Sequence, residues 1–204
     1  MLLSVNPMYP EPRKIRRAVD ALAAGGVIGY PTDTVYGIGC DLFSKKSIDR
    51  LYQIKQMDQT QKLALICPDL STVARYAIVE NATFRILKHY LPGPYTFILE
   101  ATSELPKMVQ TKRRTIGVRI PDHPILQALV HAFGKPLMST TAAPHGHAPY
   151  IDPHEIDDRF KGVAMVLDGG VGGSVPTTVI DLTTSLPEII RAGAGSIEDF
   201  AVGQ

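Results

Sequence analysis

The chain has two cysteines, no long apolar run and almost no excess of charge. Each shortage removes a class of function. Cys40 and Cys67 have neither metal-ligand nor redox spacing and cannot build a disulfide framework. Both sit beside apolar runs, so they read as buried free thiols suited to a reducing compartment. No stretch approaches the roughly 20 apolar residues of a membrane span, and residues 1–7 are too short for the apolar core of a signal peptide. A cytoplasmic protein with no membrane partner is expected. Twenty-one basic against twenty acidic residues give a net charge of +1, which announces no nucleic acid globally but leaves room for a local basic patch. The P-loop pattern Gly-x-x-x-x-Gly-Lys-Ser/Thr does not occur. Gly37-Ile38-Gly39 lacks the third glycine of a dinucleotide fingerprint. Gly172-Gly173-Ser174-Val175-Pro176 lacks the closing glycine of a nucleophile elbow. His145 and His147, with Asp152 and His154 nearby, match no metal-ligand spacing, so no protein-ligated metal is expected.

What is present alternates between helical and strand-like patterns. Pro10-Glu11-Pro12 precedes a helix through Ile15, Val19 and Leu22 that Gly25-Gly26 ends. Ser44 caps a second helix with Ile48, Leu51, Tyr52 and Ile54 on one stripe. Asn81 opens a third, stopped by Pro92-Gly93-Pro94, and Pro124 opens a fourth that runs to Phe133 and closes at Gly134. Asp152 heads a last helix with capping-box spacing to Glu155. Strands are expected at residues 27–30, 63–67, 95–100, 115–120, 137–140, 163–168, 178–182 and 189–191. The late strands follow one another too closely for crossover helices, so the expected fold is α/β with a mixed parallel and antiparallel sheet. The 204 residues contain no repeat or linker, and one domain over 1–204 is expected.

The chemistry concentrates at strand ends. Pro31-Thr32-Asp33-Thr34-Val35-Tyr36 follows a strand directly, where α/β sheets place ligand sites. Its hydroxyls suit ligand contact, while Asp33 bonding backbone amides in an Asx turn would explain the same residues. Arg119 and Arg191 lie within apolar strands, and each needs either an anionic ligand or a carboxylate such as Asp33 or Asp181. Lys55 and Lys62 flank the same region. Ser139-Thr140-Thr141 and Thr177-Thr178 are hydroxyl runs suited to phosphate or to capping. Gly169-Gly170-Val171-Gly172-Gly173 can bring backbone amides close to a ligand or form a surface turn. Lys112-Arg113-Arg114 is a solvated edge or a contact to a nucleic-acid backbone.

Together these pieces resemble the YrdC-type domain family, and especially its YciO-like branch. Tyr30-Pro31-Thr32-Asp33-Thr34-Val35-Tyr36-Gly37-Ile38-Gly39-Cys40 and Leu91-Pro92-Gly93-Pro94-Tyr95-Thr96-Phe97-Ile98-Leu99 carry the likeness. Thr115-Ile116-Gly117-Val118-Arg119-Ile120-Pro121, Pro136-Leu137-Met138-Ser139-Thr140-Thr141 and Pro176-Thr177-Thr178-Val179-Ile180-Asp181-Leu182 continue it in family order. The resemblance implies a twisted mixed sheet with a basic concave cleft. It also implies formation of threonylcarbamoyl-adenylate and pyrophosphate from L-threonine, bicarbonate and ATP with Mg²⁺, for modification of adenosine in tRNA.

By the same resemblance, Thr34, Tyr36 and Arg119 bind threonine, and Ser139, Thr141, Thr178 and Arg191 hold the nucleotide. Lys55, Lys62 and Thr141 act at the reacting phosphate, and Mg²⁺ rides on the ATP phosphates. Binding of double-stranded RNA, tRNA or rRNA in the cleft without catalysis is the alternative the family offers. Active members carry Lys-x-Arg and later Ser-x-Asn, whereas this chain reads Lys55-Gln56-Met57 and Thr141-Ala142-Ala143. Two donors at the transferring phosphate are therefore missing, which implies weak synthesis or binding alone.

Overall fold

The computed structural model describes residues 1–58, 63–109, 112–144 and 146–201; Lys62 and His145 fall outside them. Among the described residues ten strands form one sheet: β1 (Leu2–Ser4), β2 (Ile28–Tyr30), β3 (Gly37–Asp41), β4 (Ala64–Ile66), β5 (Tyr95–Glu100), β6 (Thr115–Arg119), β7 (Leu137–Thr141), β8 (Met165–Asp168), β9 (Thr178–Asp181) and β10 (Glu188–Arg191). Their spatial order is β1-β8-β2-β3-β7-β4-β6-β5-β9-β10. The pairs β1/β8, β2/β8, β4/β6 and β5/β9 are parallel, and the other five are antiparallel. The sheet is mixed, as the tight late connections required.

Among the described residues six α-helices flank it: α1 (Pro12–Ala23), α2 (Lys45–Lys55), α3 (Leu70–Tyr76), α4 (Asn81–Tyr90), α5 (Pro124–Phe133) and α6 (Pro153–Arg159). Local chemistry sets their ends. Ser44, Asp69 and Asp152 each accept a first-turn amide through the side chain, from Ser47, Thr72 and His154 respectively. Gly134 ends α5 at φ 71°, a conformation that a Cβ would penalise. Among the described residues no helix is long and apolar enough to cross a membrane.

The sheet separates two cores because successive strand side chains point to opposite faces. Ile15, Ala18, Val19 and Leu22 of α1 pack with Ile125, Leu126, Leu129 and Val130 of α5 on one face, against Tyr30, Ile66 and Leu137. Residues from α2, α3, α4 and α6, including Leu51, Val73, Leu87 and Ile156, fill the other face with Ile38, Leu65, Phe97, Val118 and Ile180. Cys40 and Cys67 are buried free thiols, and burial pushes the Cys40 thiol up to about 12.

Three elements were not legible in the sequence. The short strand β1 pairs with β8, from a distant part of the chain. Helix α3 has only Val73 and Tyr76 buried, too few to draw a stripe. Residues 37–41, outside every expected strand, form the interior strand β3, buried throughout. The loop between β2 and β3 covers residues 31–36.

Candidate functional site

Helices α1 and α5 cover only part of their face of the sheet. Over β7, β4, β6, β5 and β9 that face lines a cavity of about 340 Å³. Alternation decides which side chains reach it: Ser139 and Thr141, Ala64 and Ile66, Gly117 and Arg119, Thr96 and Ile98, and Val179. Thr140, Thr141 and Arg191 also line a second cavity of about 520 Å³ that contains Lys55, Met57, Ala143 and His147, so the two spaces adjoin along one wall.

At one end stands Arg119, on the last residue of β6. Its Nη2 donates to Asp33 Oδ1 at 2.5 Å and to Thr34 Oγ1 at 3.1 Å. Thr32 Oγ1 donates to the Val35 carbonyl at 2.6 Å and accepts from the Thr34 amide at 3.1 Å, which folds the 31–36 loop. Asp33 is thus the carboxylate partner of Arg119, not an Asx cap. Burial lowers the Arg119 pKa and Asp33 opposes the shift; a guanidinium remains charged regardless. Asp33 Oδ2, Arg119 Nε and His123 Nδ1 are buried and find no hydrogen-bond partner among the described residues. Buried polar atoms of this kind are normally completed by water or a ligand. Tyr36 donates to the Gly170 carbonyl at 2.7 Å and accepts from the Gly169 amide at 3.1 Å, tying the glycine loop to this end. Burial raises its phenol to about 12, so it stays protonated.

At the other end Lys55, buried at the last position of α2, donates to the Thr141 carbonyl at 2.9 Å and to the Ala143 carbonyl. Its ammonium also lies 5.6 Å from the Phe160 ring centroid. Arg191 donates from Nη2 to the Thr177 carbonyl at 2.9 Å and to Thr177 Oγ1 at 3.2 Å. Neither cation forms an ion pair among the described residues. Two cations without acid partners beside hydroxyls suit an anionic ligand. Among the described residues no three His, Cys, Asp or Glu side chains converge, and the cavity wall carries hydroxyls and cations without carboxylates.

Burial lowers the Lys55 pKa to about 8. Affinity of this end for an anionic ligand that does not itself titrate there is therefore expected to fall as pH rises through about 8, while Lys55→Met shows a flat profile by calorimetry. The same shift bears on stability. The folded pKa lies below the ordinary lysine value of 10.5, so folding penalises the charged form in full below about 8. Stability from this group rises as the pH climbs toward 10.5.

The structure brings Tyr36, Arg119, Ser139, Thr141 and Arg191 to the first cavity and Lys55 to the second. It does not bring Thr178 there. Thr178 shares the strand parity of Ile180 and points to the other core, donating to the Gly195 carbonyl at 2.6 Å and accepting from the Gly193 amide at 3.0 Å. Its neighbour Thr177 lines the cavity instead, with Oγ1 3.0 Å from Thr96 Oγ1. Thr34 does not line the cavity, and its hydroxyl is engaged by Arg119 and Thr32. Lys112, Arg113 and Arg114 are exposed and away from both cavities. Thr96 and Thr115 also line the cavity. Each is the one threonine of its strand, Thr96 sharing the parity of Ile98 and Thr115 that of Arg119, and that parity was the available signal.

Residues 20–193 match the Sua5/YciO/YrdC family, described as telomere recombination. Over 199 residues the chain is 43% identical to the protein YciO of Escherichia coli (strain K12), spanning 96% of this chain and 97% of that one. The crystal structure of E. coli YciO matches it with a TM-score of 0.93 at 41% identity, covering 98% of both chains. A threonylcarbamoyl-AMP synthase from Serratia proteamaculans (strain 568) is 34% identical over 180 residues, 86% of this chain and 94% of that one. The structure of P. abyssi Sua5 complexed with L-threonine matches with a TM-score of 0.91 at 26% identity; the match covers 98% of this chain and 59% of that longer one.

Proposed function

The chain belongs to the Sua5/YciO/YrdC family, and from that premise we propose that it binds L-threonine and ATP and forms threonylcarbamoyl-adenylate slowly. The observation that carries this reading is the distribution of charge along the cleft. A buried arginine braced by a carboxylate stands at one end, and a lysine and an arginine without acid partners stand at the other. A zwitterionic amino acid carrying a carboxylate suits the first end, and a polyphosphate suits the second.

In this reading Arg119 holds the threonine carboxylate, with Tyr36 closing the glycine loop over that end. Addition of bicarbonate-derived CO₂ to the threonine amine gives a carbamate. The carbamate oxygen attacks the α-phosphorus of ATP, the bond from that phosphorus to the bridging oxygen breaks, and pyrophosphate leaves. Such a displacement asks the protein for positioning and for donors around the developing charge. Lys55, Thr141 and Arg191 supply donors; Met57 and Ala143, on the same wall, supply none. One missing preorganised donor costs about two to three decades in rate, which makes turnover slow while binding survives. The product is of the kind that feeds adenosine modification in tRNA, a cytoplasmic process.

Incubation with ATP, L-threonine and bicarbonate is expected to release pyrophosphate in a threonine-dependent manner at high protein concentration. Pyrophosphate release that is the same with and without threonine would sink the synthase reading.

A further inference from the structure

Tyr30 lies on β2, and its hydroxyl donates to Ser139 Oγ on β7 at 2.7 Å. Strand β3 runs between them. The bond is possible only because the intervening side chains are absent. Tyr30 pairs with Gly37, and Gly39 pairs with Ser139. A Cβ on Gly37 would stand 2.8 Å from Tyr30 Cε2, and one on Gly39 would collide with the Tyr30 hydroxyl. The phenol therefore lies flat across two glycines of one strand to reach the next. The close approach explains both glycines, which no turn or left-handed backbone requires: neither has a positive φ.

The direction of this bond follows from energetics. The Tyr30 side chain is fully buried, and among the described residues Ser139 Oγ is its hydrogen-bond partner. Burial also raises the Tyr30 phenol further above its ordinary value, which keeps it a donor. Were Ser139 to donate instead, the phenol proton would be buried without an acceptor, a cost larger than the bond itself returns. With Tyr30 donating, the Ser139 proton is left over. Among the described residues the acceptor it reaches is the Ile38 carbonyl at 3.5 Å, at the limit of a hydrogen bond. Beyond Ser139 the sheet continues through Ala64 and Gly117, in register with it and without bulk, so the space in front of the hydroxyl is cavity.

Building on the ligand-binding reading above, we propose that Tyr30 is a positioning residue that makes the Ser139 hydroxyl a one-way donor to an anionic oxygen of the bound ligand. The oxygen belongs to the amino-acid carboxylate or to a nucleotide phosphate; the chemistry is the same, and separate titrations distinguish the sources. Gly37 and Gly39 belong to the device as the clearance that lets the phenol cross.

The test is a double-mutant cycle on the full chain, with L-threonine and MgATP titrated separately by calorimetry. Tyr30→Phe keeps the ring and removes the donor. It is expected to weaken one of the two ligands about fivefold to tenfold, the scale of one hydrogen bond. In a Ser139→Ala background the same exchange is expected to change that affinity less than twofold. Ser139→Ala alone strands the buried phenol, so it should melt below the double variant, and binding is compared below the lowest of the four midpoints. Gly37→Ala, which pushes the ring aside, should reproduce the loss seen in Tyr30→Phe. The proposal is overturned if Tyr30→Phe leaves both affinities within twofold of wild type, or if its loss is equal in both backgrounds. A wild-type chain that binds neither ligand removes the synthase reading, and this inference falls with it.

Discussion

The double change Met57→Arg with Ala143→Asn is expected to raise the rate of pyrophosphate release by at least about two to three decades, the value of a single preorganised donor at developing charge. Both side chains line the cavity that holds Lys55 and Thr141, so the new guanidinium and amide would join groups already in place. The anchoring of Lys55 is kept, because Ala143 holds it through its backbone carbonyl and asparagine has the same one. Steady-state kinetics separates the two ways the change could act. A gain in kcat with little change in KM for threonine places the new donors at the reacting phosphate. A rate equal to wild type would mean that the missing donors are not what limits turnover.

Loss of Arg119 is the second large effect. Arg119 and Asp33 have side chains about one-tenth exposed, at 10% and 11%, and are paired at 2.5 Å. Removing one member of a buried pair leaves the other charged and unpaired, which costs about 3–5 kcal/mol. Arg119→Met is therefore expected to lower the urea midpoint strongly and to abolish L-threonine binding. Adding Asp33→Asn to it removes the orphaned charge and should restore most of the stability without restoring binding. Stability and recognition part company in that double variant, which a purely structural arginine could not explain. If Arg119→Met unfolds at the wild-type urea concentration, the pair is not held as described.

Much of the framework was legible residue by residue. Helix α5 runs from Pro124 to Phe133 and stops at Gly134, and β5 covers residues 95–100, both as the sequence predicts. Caps, proline starts and apolar stripes are signals carried within about four residues of the feature they control. The closeness of the late strands likewise required an antiparallel step, found between β9 and β10. Elements with weak local signals were missed: β1 is three residues long and α3 buries two side chains within seven residues. The glycines of β3 read as loop because glycine disfavours strands, and only the Tyr30 ring lying over them explains why they occur in one.

By itself, then, the sequence determined the alternation of helices and strands, the mixed sheet, and the cluster of hydroxyls and cations at strand ends. It also carried the choice for Arg119 between a ligand and Asp33, without resolving it. Tertiary structure decided the rest, because each decision spans the sheet. Arg119 meets Asp33 across 86 positions, Lys55 meets Thr141 across 86, and Tyr30 meets Ser139 across 109. No local pattern encodes such distances. The same holds for the face a strand residue takes. Thr177 and Thr178 are chemically alike and adjacent, yet one lines the cavity and the other is buried in the opposite core. A strand alternates with a period of two, and only the register against its neighbours says which of two threonines faces the cavity.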